Sequence, residues 1–221
     1  MILGIDTATR WLGLALHSGT AVIAETGWKC QNNHTIELTP AINEMLKRAN
    51  LTSADLEAVA VAIGPGSYTG LRVGLAVAKG MALANQIPLI GVSTLDIVAA
   101  SFGPLPGKLV VVAEAGRTRI VAATYEWQSR FGWQSDMTPV IDTWENVLGM
   151  VYGRASFTGE ITPEAAKQIR AANKTFHAAP PASSVRRAGY LAEIGWQRFR
   201  KNNVDDAAEL APIYLKDPAG K

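Results

Sequence analysis

The chain has 221 residues, enough for one or two domains with real cores. Hydrophobic residues make up 48% and charged residues 18%, at a formal net charge of +2, which describes a globular protein and gives no ground in net charge for nucleic-acid binding. One cysteine, Cys30, excludes an internal disulfide and fits a reducing compartment. No apolar run is long enough to span a membrane, and the opening strand leaves no room for a signal peptide, so the expectation is a cytoplasmic protein.

In chain order, Ile2–Asp6 reads as a first strand ending in an acid. Residues 11–16 and 21–28 read as a second and third, with turns short enough for an antiparallel meander. Residues 33–49 are helical, because Ile36, Leu38, Ile42, Met45 and Leu46 recur at helical spacing behind Asn33 or Thr35 as cap. Pro40 lies inside that pattern and should delay the start or kink the helix. A buried strand over 56–63, a glycine turn, a helix to Ala84, a strand over 89–92 and a short helix from Thr94 follow. This order describes a mixed sheet with helices on its faces, as in ribonuclease-H-like domains.

Gly103-Pro104-Leu105-Pro106-Gly107 reads as a linker. The second half starts again with strands over 109–113 and 120–127, and a short third over 138–141. Asp142-Thr143-Trp144-Glu145 resembles a capping box opening a helix to Tyr152. A weak strand over 155–158 follows, then a helix from Thr162-Pro163 to Ala172, a long helix over 182–201, and a terminal strand or turn over 212–215. The halves share an order without obvious sequence identity, which reads as a degenerate duplication. The expected domains are 1–103, possibly joined by 205–221, and 104–204.

The turn Gly64-Pro65-Gly66-Ser67-Tyr68-Thr69-Gly70-Leu71-Arg72-Val73-Gly74 is the stretch with the most chemical content. A strand stops, glycines and a proline turn the backbone, and Ser67 or Thr69 can cap the helix that begins. Such a helix start can hold a phosphate; it can equally be a tight capped turn. It is not a P-loop, because no Lys-Ser or Lys-Thr follows the last glycine. The Gly-x-Gly-x-x-x-Gly spacing lacks the acid that would close the next strand of a dinucleotide fold.

These eleven residues are very similar to the hallmark of the bacterial TsaB (YeaZ) family. The start Ile2-Leu3-Gly4-Ile5-Asp6-Thr7-Ala8, His34 near the head of the first helix, and the ending Pro212-Ile213-Tyr214-Leu215-Lys216 match that family too. The likeness is close in the first half and at the extreme C-terminus, and loose over 127–207. It implies an actin-like, sugar-kinase-like fold of two ribonuclease-H-like halves. It also implies a role in forming N6-threonylcarbamoyladenosine at position 37 of tRNAs that read codons beginning with A. In that pathway the related subunit TsaD carries the metal and the transfer chemistry, TsaB pairs with it, and the ATPase TsaE joins them. The old label of glycoprotease belongs to TsaD.

The residues argue against an enzyme. A TsaD-type metal site uses two histidines four apart on the first helix, on one face; here His34 is followed at that spacing by Leu38. The stretch Glu114-Ala115-Gly116-Arg117-Thr118 has one glycine where a phosphate hairpin needs more, and Glu114 stands where the family usually has aspartate. Phe157-Thr158-Gly159-Glu160 again has one glycine where a cluster should cover adenosine. Asp6 is left without the partners that orient magnesium in ATP-using relatives. No catalytic, metal or cofactor-binding residue is therefore expected, and no cofactor.

What remains is a surface. Gly70, Gly74, Val77, Ala78 and Met81 form a small-residue stripe at steps of three and four on the helix after the turn. The family resemblance places the TsaD contact on the first two helices, so His34, Leu38, Gly70, Gly74, Val77, Ala78 and Met81 are the expected partner interface. Self-pairing through the same helices is expected when TsaD is absent. The basic runs Arg186-Arg187 and 198–201 read as a solvated face or as tRNA contacts. The rival readings are an active kinase or metallopeptidase of the same fold, and a stand-alone dimeric binding protein.

Overall fold

The structure is a computed structural model and describes residues 1–30, 33–116 and 118–215. It divides into two compact units, Met1–Ile97 with Arg187–Ile213, and Val98–Arg186 with the tail from Tyr214.

Unit 1 is a five-stranded sheet in the order β3-β2-β1-β4-β5: β1 (Ile2–Asp6), β2 (Trp11–His17), β3 (Val22–Lys29), β4 (Ala58–Gly64) and β5 (Leu89–Ser93). β1, β2 and β3 are antiparallel neighbours, while β4 and β5 run parallel to β1. Alternation along β1 feeds two cores, as period-two side chains must. Leu3 and Ile5 meet Leu38, Ile42, Leu75 and Ala78 of α1 (His34–Arg48) and α2 (Tyr68–Asn85). On the other face Ile2, Ala58, Ala60 and Ile90 pack with Leu191 of the C-terminal helix (Ala188–Arg200), which is named α6 below. Small residues let that helix sit close: a Cβ on Gly195 would lie 2.5 Å from that of Ala60, and one on Gly4 3.2 Å from that of Ala192.

α1 starts at His34 and runs through Pro40, instead of starting after it, because Ile36 N and Glu37 N both bond Asn33 O and complete the first turn. Asn33 ends the chain's approach without a side-chain cap bond.

Unit 2 repeats the topology. Its sheet runs β11-β10-β6-β7-β8, built from β6 (Lys108–Glu114), β7 (Ile120–Gln128), β8 (Gly132–Ser135), β10 (Ala155–Gly159) and β11 (Phe176–Ala178). β6, β7 and β8 are antiparallel; β10 and β11 run parallel to β6. β9 (Val140–Asp142) adds to β7 beside β8. α4 (Trp144–Met150) and α5 (Pro163–Ala172) cover one face, over Val110, Val112, Phe157 and Phe176. α3 (Thr94–Ala99) precedes the linker. The two matching strand orders make this the actin-like fold of two ribonuclease-H-like halves.

The division differs from the one expected at residue 104. The helix placed in the second half lies on the first sheet, because its buried stripe of Ala188, Leu191, Ala192 and Gly195 fits the small residues of β1, β2 and β4. It is also shorter than 182–201: Pro181–Ser184 is a 3-10 turn, and Arg187 is extended as the chain passes from one unit to the other. The segment after it returns along β4 and β5, with Asp205 N on Leu89 O, Gly91 N on the Asp205 carboxylate and Ile213 N on Ile63 O at 2.7 Å. Residues 212–215 form no regular strand. Lys216, the end of the matching C-terminal motif, lies outside the described residues, as does Arg117.

In unit 2, Lys108 Nζ lies 2.7 Å from Asp136 and 3.4 Å from Glu126, and Asp136 also accepts from Thr124. Burial pushes the Asp136 carboxyl up, but the bonds from Lys108 and Thr124 together outweigh it and hold the carboxyl below the usual aspartate range. The bond to Asp136 raises Lys108. A carboxyl depressed by folding stabilises above its unfolded pKa and loses that contribution as pH falls through the folded value. Asp136→Asn should therefore cost about 1 kcal/mol at neutral pH. Urea titrations should show the gap to wild type closing as the pH falls through the depressed carboxyl value.

Candidate partner-docking site

The glycine turn is filled by the protein's own backbone. Ser67 caps α2 by accepting from Gly70 N at 3.3 Å, and Ser67 N donates to Ala8 O at 2.6 Å. Thr7 Oγ1 donates to Gly70 O at 2.7 Å. A Cβ on Gly66 would run into Ala8 O, one on Gly70 into Thr7 O, and one on Gly74 into Thr7 Oγ1. These glycines let the segment after β1 lie directly on the turn and the first turns of α2. Gly64 has φ +106°, where a side chain is strained, and its open side faces Ile213 O of the returning tail. Two of the N–H groups that could hold a phosphate are thus engaged by Ala8 and Ser67.

This geometry corrects the orientation expected for the small-residue stripe. Gly70, Gly74 and Ala78 are buried and face Thr7 and the sheet, so the close approach their size permits is to β1 and its loop. Leu38 is wholly buried on α1. His34 is buried too, and its Nε2 has no hydrogen-bond partner. Val77 and Met81 are half-buried and border a groove of about 420 Å³ between α2 and the Thr39, Asn43 and Lys47 side of α1.

The outward side of α2 is a different set of residues. Ala76, Gly80, Leu83 and Ala84 are exposed, Val73 and Val77 half so, and Leu83 is 80% exposed. Nothing lies within 4 Å of where a Gly80 Cβ would be. On α1 Ile36 and Pro40 are exposed as well, Ile36 at 71%. Arg72, stacked on Tyr68, and Lys79, reaching Ala208 O, are the cations of this helix. The periodicity that marked the inward stripe also contained this outward one, displaced by two residues; exposure was the missing signal.

The other candidate residues are dispersed. Asp6 is fully buried at the end of β1 and accepts from Ala8 N at 2.9 Å. Glu114 is exposed at the end of β6, the topological counterpart of β1, and its N–H donates to Glu160. Gly159 at the end of β10 has Val112 O where a Cβ would go. Burial raises the Cys30 thiol. His17 is a buried structural histidine, with Nε2 at 2.7 Å from Glu193 and Nδ1 accepting from Gly19 N. Among the described residues no group of three or more His, Cys, Asp or Glu side chains is placed to hold a metal ion, and no helix is long and apolar enough to cross a membrane.

Comparison with known proteins adds to this geometry. The family model described as "TsaD: tRNA N6-adenosine threonylcarbamoyltransferase" matches residues 28–221. The tRNA threonylcarbamoyladenosine biosynthesis protein TsaB of Bacillus subtilis is 35% identical over 128 residues, which are 58% of this chain and 56% of that relative. The chain thus spans little more than half of that curated relative. An uncharacterised protein of Mycobacterium tuberculosis is 31% identical over 100% of this chain and 93% of its own length. The structure of YeaZ from Pseudomonas aeruginosa superposes with a TM-score of 0.77 at 21% identity, over 96% of this chain and 99% of that one, a likeness of fold. The match across 28–221, together with the TsaB and YeaZ relatives, shows that the chain belongs to this family, on its TsaB (YeaZ) branch.

Proposed function

We propose that this protein is a non-catalytic partner subunit in cytoplasmic formation of N6-threonylcarbamoyladenosine at position 37 of tRNAs reading codons that begin with A. It docks on the catalytic subunit TsaD through the outward side of α1 and α2, TsaE joins that assembly, and two copies pair through the same side when TsaD is absent. The observation that carries the reading is the charge-poor, open face of α2 around Gly80 and Leu83. A helix that is apolar on its outer side as well as its inner one is built to be covered twice. The glycine turn supports the non-catalytic part, since two of its N–H groups are already taken, that of Ser67 by Ala8 O and that of Gly70 by Ser67 Oγ.

The test is the pair Gly80→Arg and Leu83→Asp. Both positions are open, so each variant should fold; Gly80→Arg should even gain up to about 1 kcal/mol, because glycine is a poor helix residue. Docking would bury an unpaired charge, at roughly 2–5 kcal/mol, or about 30- to several-thousand-fold in affinity. The expected result is an unchanged or higher melting temperature, a monomer by light scattering, and loss of both TsaD binding and tRNA modification in a reconstituted reaction. Normal binding by both variants would sink the reading.

A further inference from the structure

The basic runs that stand out in the sequence are largely consumed inside the fold. Arg186 is buried beside Glu160, Arg187 pairs with Glu25, and Arg198 is held by Gly91 O, Asn203 and Asp205. Other cations of unit 2, scattered in sequence, gather at one end of its sheet. Lys167 and Arg170 lie three apart on the exposed side of α5, and Lys174 follows in the turn into β11. The parallel register sets Ala155 beside Phe176, with Ala155 N on Thr175 O and Thr175 Oγ1 on Gly153 O at 2.9 Å. Arg154 and Lys174 therefore stand at the entries of neighbouring strands, Arg154 level with Thr175 and Lys174 one residue further back, where the last turn of α5 arrives. Tyr152, two residues before Arg154, is 81% exposed.

Among the described residues none of these four cations has an ion-pair partner; Glu145 of α4 and Glu164 of α5 bond to none of them. The dipole at the end of α5 accounts for Arg170, the basic residue of its last turn. It gives no reason for Arg154, Lys167 or an exposed tyrosine ring.

We propose that this end of unit 2 is an RNA-contact surface, and that its ligand is the tRNA of the function proposed above, on which this inference rests. Unpaired cations draw phosphates, and an exposed ring stacks on an unpaired base. An acidic protein would satisfy the cations but leave the ring without a stacking partner; RNA satisfies both. The net charge of +2 is too small for a general attraction to polyanions, so the interaction is local.

The experiment uses the full chain and an end-labelled, unmodified transcript of a tRNA that reads an A-initial codon, followed by fluorescence anisotropy at low and moderate salt. The triple variant Arg154→Gln, Arg170→Gln, Lys174→Gln should bind at least about tenfold more weakly at low salt. Its slope of log affinity against log salt should be shallower by about 2, at roughly 0.7–0.9 per lost phosphate contact. Tyr152→Ala should lose about fivefold or more with the slope unchanged, as a stacking contact does. Arg200→Gln with Lys201→Gln, equally exposed cations of unit 1, should change affinity less than about twofold. Melting curves check each variant, and single Arg154→Gln replaces the triple if the triple melts lower. The inference fails if the wild type binds no tRNA at low salt, if the unit 2 variants bind like wild type, or if the unit 1 control loses as much. No partner subunit is needed, so this result and the docking result fail separately.

Discussion

Ala78→Arg should not fold. Ala78 is wholly buried in the α2 core beside Leu75 and Ala82, with β1 and β4 side chains beneath it. Arginine there adds volume to a filled interior, at about 1–3 kcal/mol, and brings in a charge with no partner, at several kcal/mol more. Together these approach the total stability of a domain, about 5–15 kcal/mol. The expected result is an insoluble protein, or one without a cooperative melt, while Gly80→Arg two residues on remains folded. A folded, dimerisation-deficient Ala78→Arg would mean that α2 presents its small-residue stripe outward.

Gly70→Ala should destabilise the protein without touching any ligand. The new methyl group would meet the Thr7 carbonyl oxygen, a backbone atom that cannot rotate aside, and would pry apart the bond from Thr7 Oγ1 to Gly70 O. Overpacking of this kind costs about 1–3 kcal/mol or more, and the helix-propensity gain of up to about 1 kcal/mol offsets only part. A net loss of about 2 kcal/mol corresponds to a fall in melting temperature on the order of 5–10 °C. Gly80→Ala is the control and should melt at or above wild type, since its Cβ meets nothing. Equal melting of Gly70→Ala and Gly80→Ala would return the turn to the phosphate-loop reading, in which glycine serves a ligand and not the fold.

The architecture was legible where the chain carries its own signal. Apolar runs marked β1, β4, β6 and β7, and Thr162 does cap α5 through Ala165 N; at α4 the cap falls one residue later than the expected box, on Thr143 through Asn146 N, while Asp142 accepts from Thr143 N. β8 and β11 gave no such signal, being four and three residues long; they exist because β7 and β10 offer an edge. The placement of α6 was illegible for a different reason. Its Ala188, Leu191 and Ala192 stripe says that one side is buried, but the matching glycines and alanines that select the first sheet lie over a hundred residues away. At the candidate site, spacing identified α2 as a helix with close neighbours and could not say which side met the sheet. Thr7 decides that, through contacts that no pattern within the helix encodes. Among the cations, adjacency in sequence pointed to Arg186 and Arg187, whereas folding paired those and left Arg154 and Lys174 bare.

The return of α6 to the first sheet also orders the protein's birth. During synthesis the first 97 residues emerge with one sheet face, Ile2, Ala58, Ala60 and Ile90, lacking the helix that seals it. Every strand of the unit 2 sheet lies within the continuous stretch Val98–Arg186, so that sheet can close before Arg187–Ile213 leaves the ribosome. The usual rule that the N-terminal domain matures first is thereby inverted: the sheet of the inserted half closes while the sheet that precedes it waits, its hydrophobic face open to chaperones, for Arg187–Ile213.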